Sequence, residues 1–520
     1  MSLGARRIGA IVLTDLRVRL RRTSTLVTLL FMVAAAWVVV PELSSGRAIM
    51  VVDGHRALYN SAAIAISTSL FASMFLGFIG FYLVSNALRR DLETRTGFII
   101  AATPVRNSEY LAGKLLGNVV FLGAIVAGYM LGVMGMHLLR AEAPLEPLVY
   151  LSTYLLVAGP AILFVAVMAL VFESVPLLAG RIGDIAYFFV FMIVLMAGII
   201  GNEHASSVNW HDAMDAFGMA FIMHAIGATN FVVGASPFDP QMAPIVTQPL
   251  RFFGPALLIR GLAVLAPLPL LLIPLALFHR FDPVKVKDTS RQGGRGPIAR
   301  LNQLVKPVTR VLAPAIAFGG RLRWRFGGRV IADAAVTLAL FPLAILLLVG
   351  IAAWSLMVPM EVLRGRILPV LFFLLVILLP GITTRDGAAG TLPMLNGIAR
   401  LRADRVAWKA ATAFVVALLF ALVPLLRLAV AAPGSALGLL AGLLFTAALS
   451  TALGELTRSP KTFAGLFLFF LYLVLNGGGQ PVMDFAGWYG TATPSVMLGY
   501  LAAAAGVTGV AWLWGRSRFV

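Results

Sequence analysis

Apolar runs of about 17 to 25 residues recur along the chain, at 25–41, 62–87, 115–139, 148–172, 185–201 and 255–278, and again at 334–358, 367–384, 410–430, 434–454, 462–478 and 493–515. This is the length a helix needs to cross a bilayer, and the runs fall into two groups of six. In lipid each run must satisfy its own backbone hydrogen bonds, which a helix does and an open strand does not. The pattern therefore predicts an all-α polytopic membrane protein with twelve transmembrane helices in two pseudo-repeated six-helix bundles. The first run, Thr25 to Val40, lacks a small-residue cleavage site and is followed by further spans, so it predicts an anchor rather than a removed leader.

The polar positions between the runs predict orientation. Lys and Arg gather in the N-terminus (Arg6, Arg7, Arg17, Arg19, Arg21, Arg22), in 88–114, 279–333 and 385–409, and in the tail (Arg516, Arg518). The intervening segments 42–60, 140–147, 202–254, 355–366 and 479–492 offset fewer arginines with acids and histidines. By the positive-inside rule both termini are cytoplasmic, in a cell inner membrane. A polar, Gly-rich, basic stretch, HRFDPVKVKDTSRQGGRGP, divides the chain into a first six-span unit (1–278), a cytoplasmic linker (279–320) and a second six-span unit (321–520). The segments IGAIVLTDLRVRLRR and 305–329 suit interfacial helices lying on anionic headgroups, one ahead of each unit.

Composition agrees with this reading. With 60% hydrophobic residues, 12% charged residues and a mean hydropathy of +0.93, the chain has more apolar surface than soluble cores could bury. The net charge of +19 is explained by orientation and predicts no nucleic-acid partner. The absence of cysteine excludes disulfides, thiol catalysis and Cys-ligated metals.

The loops after the second and eighth runs, RRDLETRTGFIIAATPVRNSEYLAGK and TRDGAAGTLPMLNGIARLRADRVAWK, superpose without a gap at a shift of 295 residues. Arg90 meets Arg385, Asp91 meets Asp386, Thr96 meets Thr391, Ala112 meets Ala407, Lys114 meets Lys409, and Glu109 faces Asp404. The match occurs at the same place in both six-span units, which predicts an internal duplication. Each loop carries an apolar patch (Phe98, Ile99 and Ile100; Leu392, Met394 and Leu395) between a polar start and a basic return, which fits a short helix along the cytoplasmic face.

At these residues the chain resembles the permeases of type-2 ABC exporters, whose corresponding loop reads Arg-Glu, Gly-Thr, Thr-Pro-Val and then Gly-Lys. Glu93, Thr96, Thr103, Pro104, Val105, Gly113 and Lys114 match that pattern; the second copy keeps Gly390, Thr391 and Lys409 but has Ala388 and Ala399 in place of Glu93 and Pro104. The resemblance implies a coupling helix after the second span of each unit and short re-entrant helices before the sixth, with Ala213–Ala235 as the first re-entrant pair and Gln480–Thr493 as a shortened counterpart. It implies two copies of a cytoplasmic ATPase subunit, which bind ATP and Mg, and leaves room for an accessory periplasmic partner beside the membrane lipids. The ATPase-coupling residues it nominates are Arg90, Asp91, Glu93, Thr96, Pro104 and Lys114, with Arg385, Asp386, Thr391 and Lys409. Glu173 and Glu455, at the ends of the fourth and tenth runs, are further contact points for the ATPases or helix-end anchors.

The chain carries no GxxxxGK[ST] phosphate loop, so no cofactor and no catalytic residue is expected in it. His204, His211 and His224 lie near Glu203, Asp212 and Asp215, but no zinc motif orders them, and the polar lining of an outer vestibule explains them better than a metal site. Arg260 and His137 lie near the ends of their runs, where a side chain can reach water, and no midplane acid suggests a proton relay. The sequence thus reads as an exporter permease for an amphiphilic cargo such as a lipid, peptide or natural product. A twelve-span proton-coupled transporter is the alternative, and an intramembrane lipid-modifying enzyme a more distant one.

Overall fold

The structure, a computed structural model, describes residues 3–176, 178, 181–198, 200, 207–228, 231–250, 254–278, 307, 313–322, 325–476 and 481–517. Most of the linker lies outside these residues. The chain divides into two compact units, Met1–Val286 and Lys287–Val520.

Among the described residues, eight helices are long and apolar enough to cross a membrane: Ser61–Leu92, Asn107–Arg140, Pro147–Ser174 and Pro255–Leu277 in the first unit, and Met360–Ala388, Leu401–Ala431, Pro433–Thr457 and Pro494–Arg516 in the second. Three further apolar helices, Thr25–Trp37, Gly183–Ala197 and Pro460–Leu475, are shorter. The run 334–358, expected as one span, is instead two helices, Arg325–Leu340 and Leu343–Met357, bent by 98° at a break. Pro342 accounts for the break, since its ring lacks an N–H and clashes with the preceding turn.

In each unit the first and third of these four long helices are the buried ones. The apolar stretches of Ser61–Leu92 and Pro147–Ser174 are 89% and 78% buried in the chain, against 33% and 22% for Asn107–Arg140 and Pro255–Leu277. In the second unit Met360–Ala388 and Pro433–Thr457 are 78% and 72% buried, against 39% and 11% for Leu401–Ala431 and Pro494–Arg516. The outer helices expose apolar side chains such as Leu131, Leu138, Leu422 and Leu513. Faces of that composition are stable only against lipid.

The cores are aromatic. In the first unit Phe81 stacks on Tyr187 with centroids 3.7 Å apart, and Phe191 packs against Phe78 and Phe217 at 4.3 and 4.7 Å. Gly77 makes this possible, because a Cβ there would lie 2.1 Å from the Phe191 ring. In the second unit Phe485 packs at 5.0 Å against both Phe372 and Phe470.

The expectation of helix alone needs one correction. Strands β1 (Arg47–Val52), β2 (His55–Arg56) and β3 (Phe231–Pro237) form an antiparallel sheet in the order β2-β1-β3. The hairpin turns at Asp53 and Gly54, both at positive φ, an Asp-Gly signal for a tight two-residue turn. The first re-entrant segment is corrected with it. Met219–Ile226 is a helix, but the return half is β3, whose β-branched Val232 and Val233 pair with β1 instead of forming a second helix.

Candidate functional site

In both units the loop identified from sequence rests on a buried ionic network. The first unit begins with a lead helix, Leu3–Leu20, that packs along Asn107–Arg140. Gly113 lets it close in, since a Cβ there would meet Ile11 at 2.8 Å. Asp15 on the lead helix is buried and lies among three cations: it pairs with Arg19 at 2.7 Å, with Lys114 at 3.0 Å and with Arg90. Lys114 Nζ is also 2.8 Å from Asp91, which accepts a hydrogen bond from the Tyr110 hydroxyl at 2.7 Å. Burial by itself would raise the Asp15 carboxyl, but Arg19, Lys114 and Arg90 outweigh it and hold it down at about 2.

The second unit repeats the arrangement on its own lead helix, Arg325–Leu340. Asp333 pairs with Arg385 and, at 3.3 Å, with Lys409, whose Nζ is 2.8 Å from Asp386. The loop backbone repeats as well: Thr96 Oγ1 donates to the carbonyl of Asp91 at 3.3 Å and Thr391 Oγ1 to that of Asp386 at 3.2 Å. Arg95 and Gly390, aligned by the same shift of 295, both take the left-handed conformation, at φ of 60° and 71°. A glycine adopts that geometry freely whereas an arginine does so under strain.

The aligned acids Glu109 and Asp404 also bind the lead helices, through Arg7 at 3.4 Å and Arg329 at 2.8 Å. Arg7 additionally donates to the Pro104 carbonyl at 2.9 Å. Glu173 accepts from the backbone N–H groups of Ala87 and Leu88 at 2.9 and 2.6 Å, and so caps the loop helix Ala87–Glu93, whose own N-cap, Asn86, supplies no side-chain bond. Glu455 pairs with Arg405 at the start of Ala399–Ala431. Both acids have the geometry of anchors. The Glu93 side chain lies outside the described residues.

These networks bring Arg90, Asp91 and Lys114 together in the first unit and Arg385, Asp386 and Lys409 in the second, all largely buried behind the loops. Beside exposed Arg95, Thr96 and Thr391, each loop presents apolar side chains outward. Ile99 is 69% exposed and Met394 75%, on the short helices Thr96–Ala101 and Leu392–Gly397.

No family model matches the chain, and neither a curated protein nor a solved structure does.

A second matched feature, missed in the sequence, lies at the opposite ends of the units. Asp215 accepts from the N–H groups of Phe217, Gly218 and Phe221 at 2.8–3.1 Å, and Asp484 from those of Tyr489, Thr491 and Ala492 at 2.8–3.2 Å. Each carboxylate folds a loop that sends a phenylalanine, Phe217 or Phe485, into its unit's aromatic core. The available signal was the pattern Asp-x-x-Gly at Asp215–Gly218 and Asp484–Gly487. Asp215 is therefore committed to backbone, while His224 bonds buried Asp212 at 2.8 Å and His211 stacks on Trp210. Among the described residues no group of three potential ligands could hold a metal, and Glu203 and His204 lie outside them. Arg260 donates to the carbonyls of Leu156 and Asp215 at 2.7 and 2.6 Å, and His137 is bonded to Tyr150 and Ala143.

Proposed function

We propose that this chain is the membrane domain of an ATP-binding cassette exporter, built by internal duplication from two six-span units and driven by separate ATPase subunits. The observation that carries the reading is the same Asp–Arg–Asp–Lys network beneath both loops: Asp15, Arg90, Asp91 and Lys114; Asp333, Arg385, Asp386 and Lys409. A loop that only joined two spans would need no such support. A loop that transmits force does, because a push on its surface must move whole helices rather than bend the loop.

In this reading the exposed residues Phe98, Ile99 and Met394 seat in an apolar groove of each ATPase, and Thr96, Pro104 and Thr391 shape the loop. The ion pairs carry displacement to the lead helix and the third span of each unit, and ATP-driven closure of the two ATPases biases the permease between inward-open and outward-open states. Thr25–Trp37, Gly183–Ala197, Leu343–Met357 and Pro460–Leu475 complete the count of twelve spans. Both termini are cytoplasmic in an inner membrane, and the cargo is an amphiphile that leaves between apolar and small side chains.

Affinity purification of the solubilised chain from its native cells tests this. A near-stoichiometric P-loop ATPase supports the reading; a chain that purifies without one redirects it to proton-coupled transport.

A further inference from the structure

At the end of the second unit remote from its loop, a cavity of about 310 Å³ is lined by Arg364, Gly434, Ser435, Gly487, Tyr489 and Gly490. Its size is at the lower end for small-molecule sites and fits a headgroup-sized ligand rather than a whole amphiphile. Arg364 supplies the charge. Its Nη2 donates to Ser435 Oγ at 3.0 Å, and its Nε is buried with no hydrogen-bond partner. Among the described residues no carboxylate pairs with it, neither Glu361 on the same helix nor Asp484, whose oxygens are taken by backbone N–H groups. In the first unit, by contrast, Arg56 is closed by a two-pronged pair with Glu142 at 2.7 and 3.0 Å.

Three further features suit the cavity to an anion. The helix Pro433–Thr457 starts at its wall with no side-chain cap, so the N–H groups of Gly434 and Ser435 and the positive end of the helix dipole are available there. The residues at 434, 487 and 490 have no side chains to fill the space, and a Cβ at Gly490 would lie 3.3 Å from Arg364 Nη1. Arg364 itself sits in a π-helical turn, Leu363–Ile367, a local irregularity that recurs at functional sites.

We propose that this cavity binds a phosphate group, held by the Arg364 guanidinium and the first turn of Pro433–Thr457. Arg364 and Arg385 lie 21 residues apart on one long helix, roughly 32 Å of rise, which is about the thickness of a bilayer's hydrocarbon core. With the loop at one membrane face, the cavity is level with the headgroups of the other. The phosphate is therefore that of a phospholipid or of an ion free in solution.

The test uses the full chain alone in phospholipid-free maltoside micelles, so its outcome is independent of whether an ATPase partner exists. Apparent melting temperature is followed against dihexanoyl phosphatidylglycerol, and separately against inorganic phosphate at constant ionic strength. Saturable stabilisation that weakens at least tenfold in Arg364→Gln, and also in Gly490→Ala, which crowds the guanidinium and strains a left-handed backbone but keeps the charge, establishes the site. A response to the lipid alone assigns it to a headgroup, and a response to both probes to phosphate in general. If either variant does not fold, Gly434→Ala, which adds a methyl in open space at the cavity wall without positive φ, decides with the other. No saturable shift with either probe, or curves unchanged in the variants, overturns the proposal.

Discussion

Replacing Asp15 with Asn keeps the shape of the side chain and removes the one charge that three cations share. Arg19, Lys114 and Arg90 would then face each other around a neutral amide, with Asp91 left to balance Lys114 from the other side. Removing one partner of a buried ion pair costs about 3–5 kcal/mol, because the remaining charge is stranded in a poor solvent. A second route gives a consistent figure. A carboxyl held at about 2 instead of 3.8 contributes about 2 kcal/mol at neutral pH, and this omits the cost of stranding the cations. For a unit of this size the combined effect lowers the apparent melting temperature by about 6–10 °C. The sign with pH follows from the same shift: the Asp15 contribution is complete above pH 3.8 and is lost as pH falls toward 2. Thermal unfolding of the purified chain in maltoside micelles, with Asp15→Asn beside the wild type from pH 7 to pH 3, measures both effects. The gap between the two proteins should narrow at the acid end. A variant that melts within about 0.5 kcal/mol of the wild type at pH 7, as surface substitutions do, would refute a supporting role for the network.

Other outcomes follow from the same geometry. Arg95→Gly relieves a left-handed arginine and should stabilise the chain by about 1 kcal/mol, while Gly390→Ala imposes that strain on the second loop and should destabilise it by a similar amount; both are read as melting shifts. Glu173→Ala uncaps the N–H groups of Ala87 and Leu88 and should cost about 2 kcal/mol, with hydrogen exchange rising first in Ala87–Glu93. Ile99→Asp and Met394→Asp alter side chains that are already exposed, so melting should stay within about 0.5 kcal/mol of the wild type while recovery of a co-purifying ATPase drops; an unchanged ATPase yield would count against the loops as its docking point.

The networks also bear on how the two loops differ. In the first unit the long helix Ser61–Leu92 is interrupted at Ser85–Asn86, and the loop helix restarts under the Glu173 cap. In the second unit the helix runs on from Leu368 through Leu379 to Ala388, and Glu455 instead pairs with Arg405. The first loop is thus hinged from its span and the second is continuous with it. The helix that leads into the second loop is the one that carries Arg364 at its far end.

The hydropathy pattern alone determined that the chain is built of membrane helices and where most of them lie, because twenty apolar residues in lipid have one way to satisfy their backbone. The shift of 295 residues likewise located both loops, whereas the run 334–358 read as one span and only the structure showed its break at Pro342. Local pattern could not say what holds the loops. Asp15 and Asp333 are 318 residues apart, out of step with the loop alignment; Asp15 lies on a basic segment that reads as a surface helix, and Asp333 falls between such a segment and the next apolar run. Only packing shows that the carboxylate of Asp15, and that of Asp333 just ahead of the run 334–358, point inward onto Arg90 and Lys114, and onto Arg385 and Lys409. The small sheet was partly legible in Val-Val-Asp-Gly-His-Arg, but its third strand comes from residues 231–237, and sequence period carries no information about a partner so far along the chain. Arg364 is the same case: on the sequence it is one more arginine at a helix end, and the three-dimensional neighbourhood decides that it faces a cavity rather than a carboxylate. Charge pairing is set by distance in space, and the fold alone fixes that distance.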